Sequence, residues 1–85
     1  MQVVKTAEFE KAFSKLSANI KRLCRFQEEY LSINWRDPRL HLKKLDLPDA
    51  IYSFRVTRSY RALFYFDVNR NIILFDIDDR KDIYR

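Results

Sequence analysis

Glycine is absent from this 85-residue chain, and proline occurs only twice. A glycine-rich phosphate loop is therefore excluded, and turns fall to Asn, Asp and Ser, which tolerate unusual backbone angles. A single cysteine, Cys24, rules out an internal disulfide and fits a reducing compartment. One Cys and one His (His41) fall short of the four ligands of a structural zinc site, so no metal and no cofactor is expected. No signal-peptide pattern opens the chain, and no apolar run approaches the ~18 residues of a membrane span. The expectation is a cytoplasmic protein with no membrane partner.

What is present is aromatic and basic. Seven Phe, five Tyr and one Trp supply large burial per residue, enough for one real core. The length fits one domain, residues 1–85, since domains run from about 50 to 200 residues. So small a chain has no room for a deep enclosed pocket, and its site should be an open groove on one face. Net charge is +5. The excess sits in the middle, where Arg36, Arg39, Lys43, Lys44, Arg55, Arg58 and Arg61 face only Asp37, Asp46 and Asp49. A basic region favours nucleic acid or an acidic partner protein. The plainer alternative is a solvated surface kept for solubility.

Residues 2–5 read as a short strand. Thr6 stands where an N-cap belongs, with Glu8 in the first turn, and Phe9, Ala12, Phe13 and Leu16 follow at helical spacing. Ser17 or Asn19 restarts a second helix with Ile20, Leu23, Cys24, Gln27 and Leu31 on one face. Trp35 and Asp37-Pro38 end it. Two short helices joined tightly should form an antiparallel hairpin. Residues 39–50 read as an irregular loop pinned to the core by Leu40, Leu42, Leu45 and Leu47. Residues 51–57, 60–67 and 72–78 are three runs rich in aromatic and β-branched residues, with Asp67, Asn69 and Asn71 marking the second turn. The order β-α-α-β-β-β predicts an α+β domain: a small twisted, mainly antiparallel sheet with the N-terminal helical hairpin on one face.

Side-chain parity sharpens the first hairpin. Tyr52, Phe54, Val56, Tyr60, Ala62, Phe64 and Phe66 are all apolar or aromatic and all even-numbered. A three-residue connection, Thr57-Arg58-Ser59, keeps them on one face, pairs Val56 with Tyr60 and Phe54 with Ala62, and sets Arg55 opposite Arg61 on the other. Like charges directly opposite repel, which an anion seated between them relieves. Two solvated arginines splaying apart would satisfy the same pattern. The predicted core is Phe9, Phe13, Leu16, Ile20, Leu23, Phe54, Val56, Ala62, Phe64, Ile73 and Phe75.

The segment from Tyr52 to Tyr65, with Arg55, a short turn and Tyr60-Arg61, resembles the central hairpin of the RelE/ParE toxin superfamily. The C-terminus, Ile77-Asp78-Asp79-Arg80-Lys81-Asp82-Ile83-Tyr84-Arg85, resembles that family's closing motif. The leading strand, the helices and the Lys43-Lys44-Leu45 approach match its order, so the resemblance covers nearly the whole chain. It implies a RelE-like fold with an open concave face, and the toxin role of a type II toxin–antitoxin system. RelE-like members cut messenger RNA in the ribosomal A site and so inhibit translation. ParE-like members poison gyrase. Both are held by an antitoxin, as a hetero-oligomer. A non-catalytic antitoxin-binding protein on the same fold is the third possibility.

Cleavage of RNA needs the 2′-hydroxyl deprotonated, in-line attack on phosphorus, a stabilised dianionic transition state and a protonated leaving oxygen, with no metal required. Arginines supply charge and bidentate hydrogen bonds to phosphate. Position in the family pattern makes Arg61 the expected phosphate clamp on the open face, with Arg55, Arg80, Lys81 and Tyr84 as further catalytic residues, and Lys43, Lys44 and Arg58 binding RNA. A phenol's ordinary pKa of about 10 makes it a poor base unless cations adjoin it. The chain departs from the family twice: Asp78-Asp79 replaces the usual Gly-His, and Ser53 stands where several RelE-like members carry Lys or Arg. Asp76, Asp78, Asp79 and Asp82 are expected to pair with Arg80 and Lys81 rather than to bind a cation. His41 is expected to be a surface or packing residue, and Cys24 to lie on the apolar face of its helix.

Overall fold

The computed structural model describes residues 2–45 and 49–84. Strand β1 (Val3–Lys5) leads into helices α1 (Ala7–Ser14) and α2 (Ala18–Ile33), and a single 3-10 turn (Pro38–Leu40) leads to strands β2 (Lys43–Lys44), β3 (Tyr52–Arg55), β4 (Tyr60–Phe66) and β5 (Ile72–Asp79). The five strands form one open sheet in the order β1-β5-β4-β3-β2, in which β1 runs parallel to β5 and every other neighbour is antiparallel. This is the predicted α+β architecture, with one more strand than expected.

Local chemistry fixes the helices. Thr6 Oγ1 accepts from the Phe9 amide at 3.1 Å, and Glu8 and Glu10 occupy the positive first turn of α1. Ser17, not Asn19, caps α2, its Oγ accepting from the Ile20 amide at 3.3 Å. Phe13 on α1 lies beneath Lys21 and Arg25 of α2, so cationic stems cover the aromatic flank between the helices.

The core is a cluster of buried Phe9, Cys24, Leu31, Leu40, Phe54, Val56, Ala62, Phe64, Ile72, Leu74 and Ile77. Phe13, Leu16 and Ile20 pack against it half-buried rather than enclosed, and Leu23 is half-buried beside a surface groove. The predicted Ile73 and Phe75 are also only half-buried, and Ile72 and Leu74 take their places. Ile72-Ile73-Leu74-Phe75 is an unbroken apolar run, so alternation carries no phase there. The ladder then slips: Phe64 pairs with Leu74 but Leu63 with Asp76, so Phe75 is the extra residue of a β-bulge. The slip lets an even-numbered Leu74 and an odd-numbered Ile77 both face the helices. Phe75 instead meets Tyr65 on the opposite face, ring centres 5.6 Å apart.

The segment read as an irregular loop contains β2. Lys43 and Lys44 pair with Ser53 and Tyr52, and the Leu45 amide donates to the Ile51 carbonyl at 2.8 Å. Two residues with lysine side chains make a short, charged sheet edge, which discourages pairing with another chain. Leu40 is wholly buried, with Leu42 and Leu45 half-buried as the pinned segment requires; Leu47 lies outside the described residues. With no glycine available, the left-handed positions fall to His41 (φ 45°) and Arg70 (φ 66°). Asp67 organises the turn that contains Arg70, its Oδ1 accepting from the Asn69 and Asn71 amides at 2.9 and 2.8 Å. Among the described residues no helix is long and apolar enough to cross a membrane.

Candidate functional site

The β3–β4 hairpin forms in the predicted register. The Val56 amide donates to the Tyr60 carbonyl at 2.9 Å, and Thr57 Oγ1 accepts from the Ser59 and Tyr60 amides, both at 3.1 Å. Phe54 stands opposite Ala62 and Arg55 opposite Arg61. The even-numbered side chains enter the core. Their odd-numbered neighbours project to the face away from the helices, where the ladder lines up Lys43, Ser53 and Leu63, and beside them Arg55, Arg61 and Asp78.

On that face Arg61 does not stand free, as the sequence had led us to expect. It is buried, with 4% of its surface exposed. Its Nε donates to Ser53 Oγ at 2.9 Å, and one terminal nitrogen donates to the His41 carbonyl at 2.6 Å and to the Ser53 carbonyl at 3.2 Å. Burial pushes the guanidinium below an arginine's ordinary pKa; the Tyr84 hydroxyl opposes this, while the charges of Arg55 and Arg80 add to it. The physical reason for the burial is the C-terminal tail. Tyr84 folds back so that its hydroxyl lies 3.0 Å from Ser53 Oγ. Leu63 and Ile83 are buried yet lie outside the main core cluster, as a tail laid across this face produces.

The structure gathers most of the expected residues but not all. Arg55 is half-buried beside Arg61, and its carbonyl accepts from Gln27 Nε2 at 2.7 Å, which ties β3 to α2. Arg58, Arg80 and Lys81 are exposed and, with Ser59 and Asp79, line an open groove of about 480 Å³. The Arg80 amide donates to the Ser59 carbonyl at 2.6 Å and holds the start of the tail against the hairpin turn. Tyr84 remains 43% exposed, so its ring is reachable while its hydroxyl is tethered. Lys43 lies cross-strand from Ser53, on the open face. Lys44 pairs with Tyr52, whose ring stacks in the core, so strand alternation turns Lys44 to the helix side and out of the site.

Asp76, Asp78 and Asp79 behave differently from the expected ion pairs. Asp76 Oδ1 accepts from the Ile77 amide, Asp78 Oδ1 from the Asp79 amide and Asp79 Oδ1 from the Lys81 amide, at 2.8, 2.7 and 2.9 Å. Neither Arg80 nor Lys81 forms an ion pair among the described residues; the pairs found are Lys5–Glu28 and Arg39–Asp37. Short aspartates next to a turn satisfy local amides more readily than they reach a flexible cation. Among the described residues no three of His, Cys, Asp and Glu converge as a metal-holding group. His41 is exposed, as expected; its carbonyl, presented from a left-handed turn, is what enters the site. Cys24 is buried, and burial with the nearby Glu28 carboxylate pushes its thiol up to about 12. Ser53 is the residue that sequence reasoning passed over as a mere departure from pattern. Its one visible signal is a small polar side chain on the same strand face as Arg55.

No family model matches the sequence, and no curated protein matches it. Its structure does match solved ones. A chain of the archaeal RelE-RelB complex from Pyrococcus horikoshii OT3 aligns over 95% of this chain and 96% of its own, with a TM-score of 0.78 and 18% identity. A chain of the RelB-RelE antitoxin-toxin complex from Methanococcus jannaschii aligns over 95% and 94%, with a TM-score of 0.79 and 20% identity. The YoeB/ParE toxin from Agrobacterium tumefaciens aligns over 94% and 99%, with a TM-score of 0.78 and 12% identity. The chain has the α+β fold that these solved toxin structures share.

Proposed function

We propose that this chain, starting from its RelE-like fold, is the toxin of a type II toxin–antitoxin pair and a metal-independent endoribonuclease acting on ribosome-bound mRNA. The observation that carries this reading is the meeting, on one open sheet face, of a tethered but exposed tyrosine with Arg61, Arg55 and Arg80. In-line attack by a 2′-hydroxyl, whose proton passes to water, forms the new P–O bond as the 5′-oxygen departs and takes up a proton, which leaves a cyclic phosphate and a 5′-hydroxyl. Two of the needs of this reaction match the face. Arg55, Arg80, Lys81 and Lys43 offer positive charge to the equatorial oxygens of the dianionic transition state. The Tyr84 hydroxyl offers a proton to the departing oxygen. Arg58 and the groove beside it would carry the flanking backbone phosphates. Arg61 keeps its place in the site through the groups it holds. Its inward hydrogen bonds leave the more exposed cations as the direct phosphate contacts.

The cognate antitoxin is the expected protein partner: two of the similar structures are toxin–antitoxin complexes, and this chain offers a basic, open sheet face. The test is induction in cells followed by mapping of mRNA ends on isolated ribosomes. Growth arrest with cuts confined to ribosome-bound message is expected, and Arg55→Ala combined with Arg80→Ala should lower cleavage by about 10²–10³-fold. A second reading, gyrase poisoning, draws on the similarity to the YoeB/ParE toxin and on the Asp78-Asp79 pair beside the cations. Inhibition of gyrase by protein that leaves mRNA whole would put it in first place. Protein that harms neither target and binds no partner would refute both.

A further inference from the structure

We infer that Ser53 is a positioning residue for the proposed cleavage, holding the Tyr84 hydroxyl over the open face and linking it to the buried Arg61 guanidinium. The inference rests on the ribonuclease reading above. Ser53 has no exposed surface, so it cannot touch substrate itself. Its Oγ nevertheless sits at the junction of two contacts that reach across 8 and 31 residues of sequence, to Arg61 Nε at 2.9 Å and to Tyr84 Oη at 3.0 Å.

Hydrogen-bond accounting gives the junction a direction. A guanidinium only donates, so Ser53 Oγ must accept from Arg61. That leaves the serine one proton and one lone pair for Tyr84, and among the described residues no other hydrogen bond uses them. The Arg61 side is itself fixed, because a terminal nitrogen is anchored on the His41 and Ser53 carbonyls at 2.6 and 3.2 Å. The serine hydroxyl is therefore held by a rigid, charged donor, and the tyrosine hydroxyl by the serine beside that same guanidinium. Tyr84 otherwise sits at the end of a short tail. The tail's described backbone bonds are the Arg80 amide to Ser59 and the Asp82 and Ile83 amides to the Asp79 carbonyl. None of these sets where the Tyr84 ring points.

The experiment compares intact wild type, Ser53→Ala, Ser53→Thr, Tyr84→Phe and the Ser53→Ala/Tyr84→Phe double variant in cleavage of mRNA on purified ribosomes, with kcat and KM measured separately. Thermal melts confirm that each is folded. Displacing the tyrosine hydroxyl by about an ångström should cost kcat about 10- to 100-fold. KM should be unchanged, because Ser53 does not contact RNA. Ser53→Thr, which keeps the hydroxyl, should recover most of the rate. The double variant should be no slower than Tyr84→Phe alone, since both changes remove one coupled function. Amide exchange at Ile83 and Tyr84 should quicken in Ser53→Ala without any RNA present. Equal kcat for Ser53→Ala and an active wild type, or additive losses in the double variant, would overturn the role of Ser53 and leave the ribonuclease reading standing. A folded wild type that cuts no ribosome-bound RNA would overturn that reading and this inference with it.

Discussion

Arg61 is the residue at which sequence and structure make opposite forecasts about a simple mutation. An arginine standing free on a sheet face can be cut back to alanine at almost no cost in stability. The buried guanidinium seen here cannot. Arg61→Ala forfeits three hydrogen bonds. Bonds to a charged group are worth about 1.5–3 kcal/mol each. Removing the charge also returns its desolvation penalty, several kcal/mol for a buried ion. These two effects are similar in size and opposite in sign. The balance is then decided by packing: alanine loses two further methylenes at about 0.8 kcal/mol each, and it leaves a cavity. The expected net loss for Arg61→Ala is about 2–4 kcal/mol. Arg61→Met keeps the stem volume and should cost only about 0–2 kcal/mol. In a domain of this size Arg61→Ala should lower the melting temperature by about 10–25 °C. Urea unfolding of both variants beside wild type measures the differences directly, as shifts in midpoint at unchanged slope. An Arg61→Ala protein melting within about 2 °C of wild type would show that the side chain is not held inside the fold. The consequence for function is practical: lost activity in Arg61→Ala is no proof of a phosphate clamp, and Arg61→Met is the informative variant.

Three further outcomes follow from the fold. Ile72→Ala should cost about 2–5 kcal/mol and Ile73→Ala clearly less, because the bulge turns Ile72 into the core and Ile73 to the open face; equal losses in urea unfolding would place the slip elsewhere. Glu28, buried beside Lys5 at 3.0 Å, has its carboxyl pKa raised, with burial outweighing the lysine. A raised carboxyl contributes stability below its ordinary pKa and loses it as pH rises through the folded value. Glu28→Gln should therefore melt above wild type at pH 7 and level with it near pH 4, and the reverse order would show that the ion pair prevails. The Cys24 thiol, pushed up to about 12, should stay unmodified by iodoacetamide in native protein at pH 8 and react once urea unfolds the chain; rapid native labelling would mean that α2 does not seal it.

Much of this protein is written in its sequence because the forces concerned are local or periodic. Thr6 and Ser17 announce helix starts through side-chain oxygens that can satisfy orphan amides. The even-numbered aromatics of residues 52–66 fix hairpin register, since a slip by one residue would expose all of them. The basic middle of the chain and the Tyr60-Arg61 and Arg80-Lys81 pairs stand out as candidate anion contacts without coordinates. Periodicity fails where it has nothing to alternate: the apolar run at 72–75 could not reveal a bulge, and a two-residue lysine strand is too short to leave a pattern. Lys44 fell outside the site for the same reason, because which of two adjacent lysines lies on the open face depends on a partner strand eight to ten residues away. Burial of Arg61 required the tail to come back across the sheet, and the Ser53 junction required three distant segments to meet. Composition and spacing thus determined which residues carry charge and, along the helices and the β3–β4 hairpin, which face they occupy. Only the tertiary structure decided which of them water still reaches, because that depends on what long-range packing lays over them.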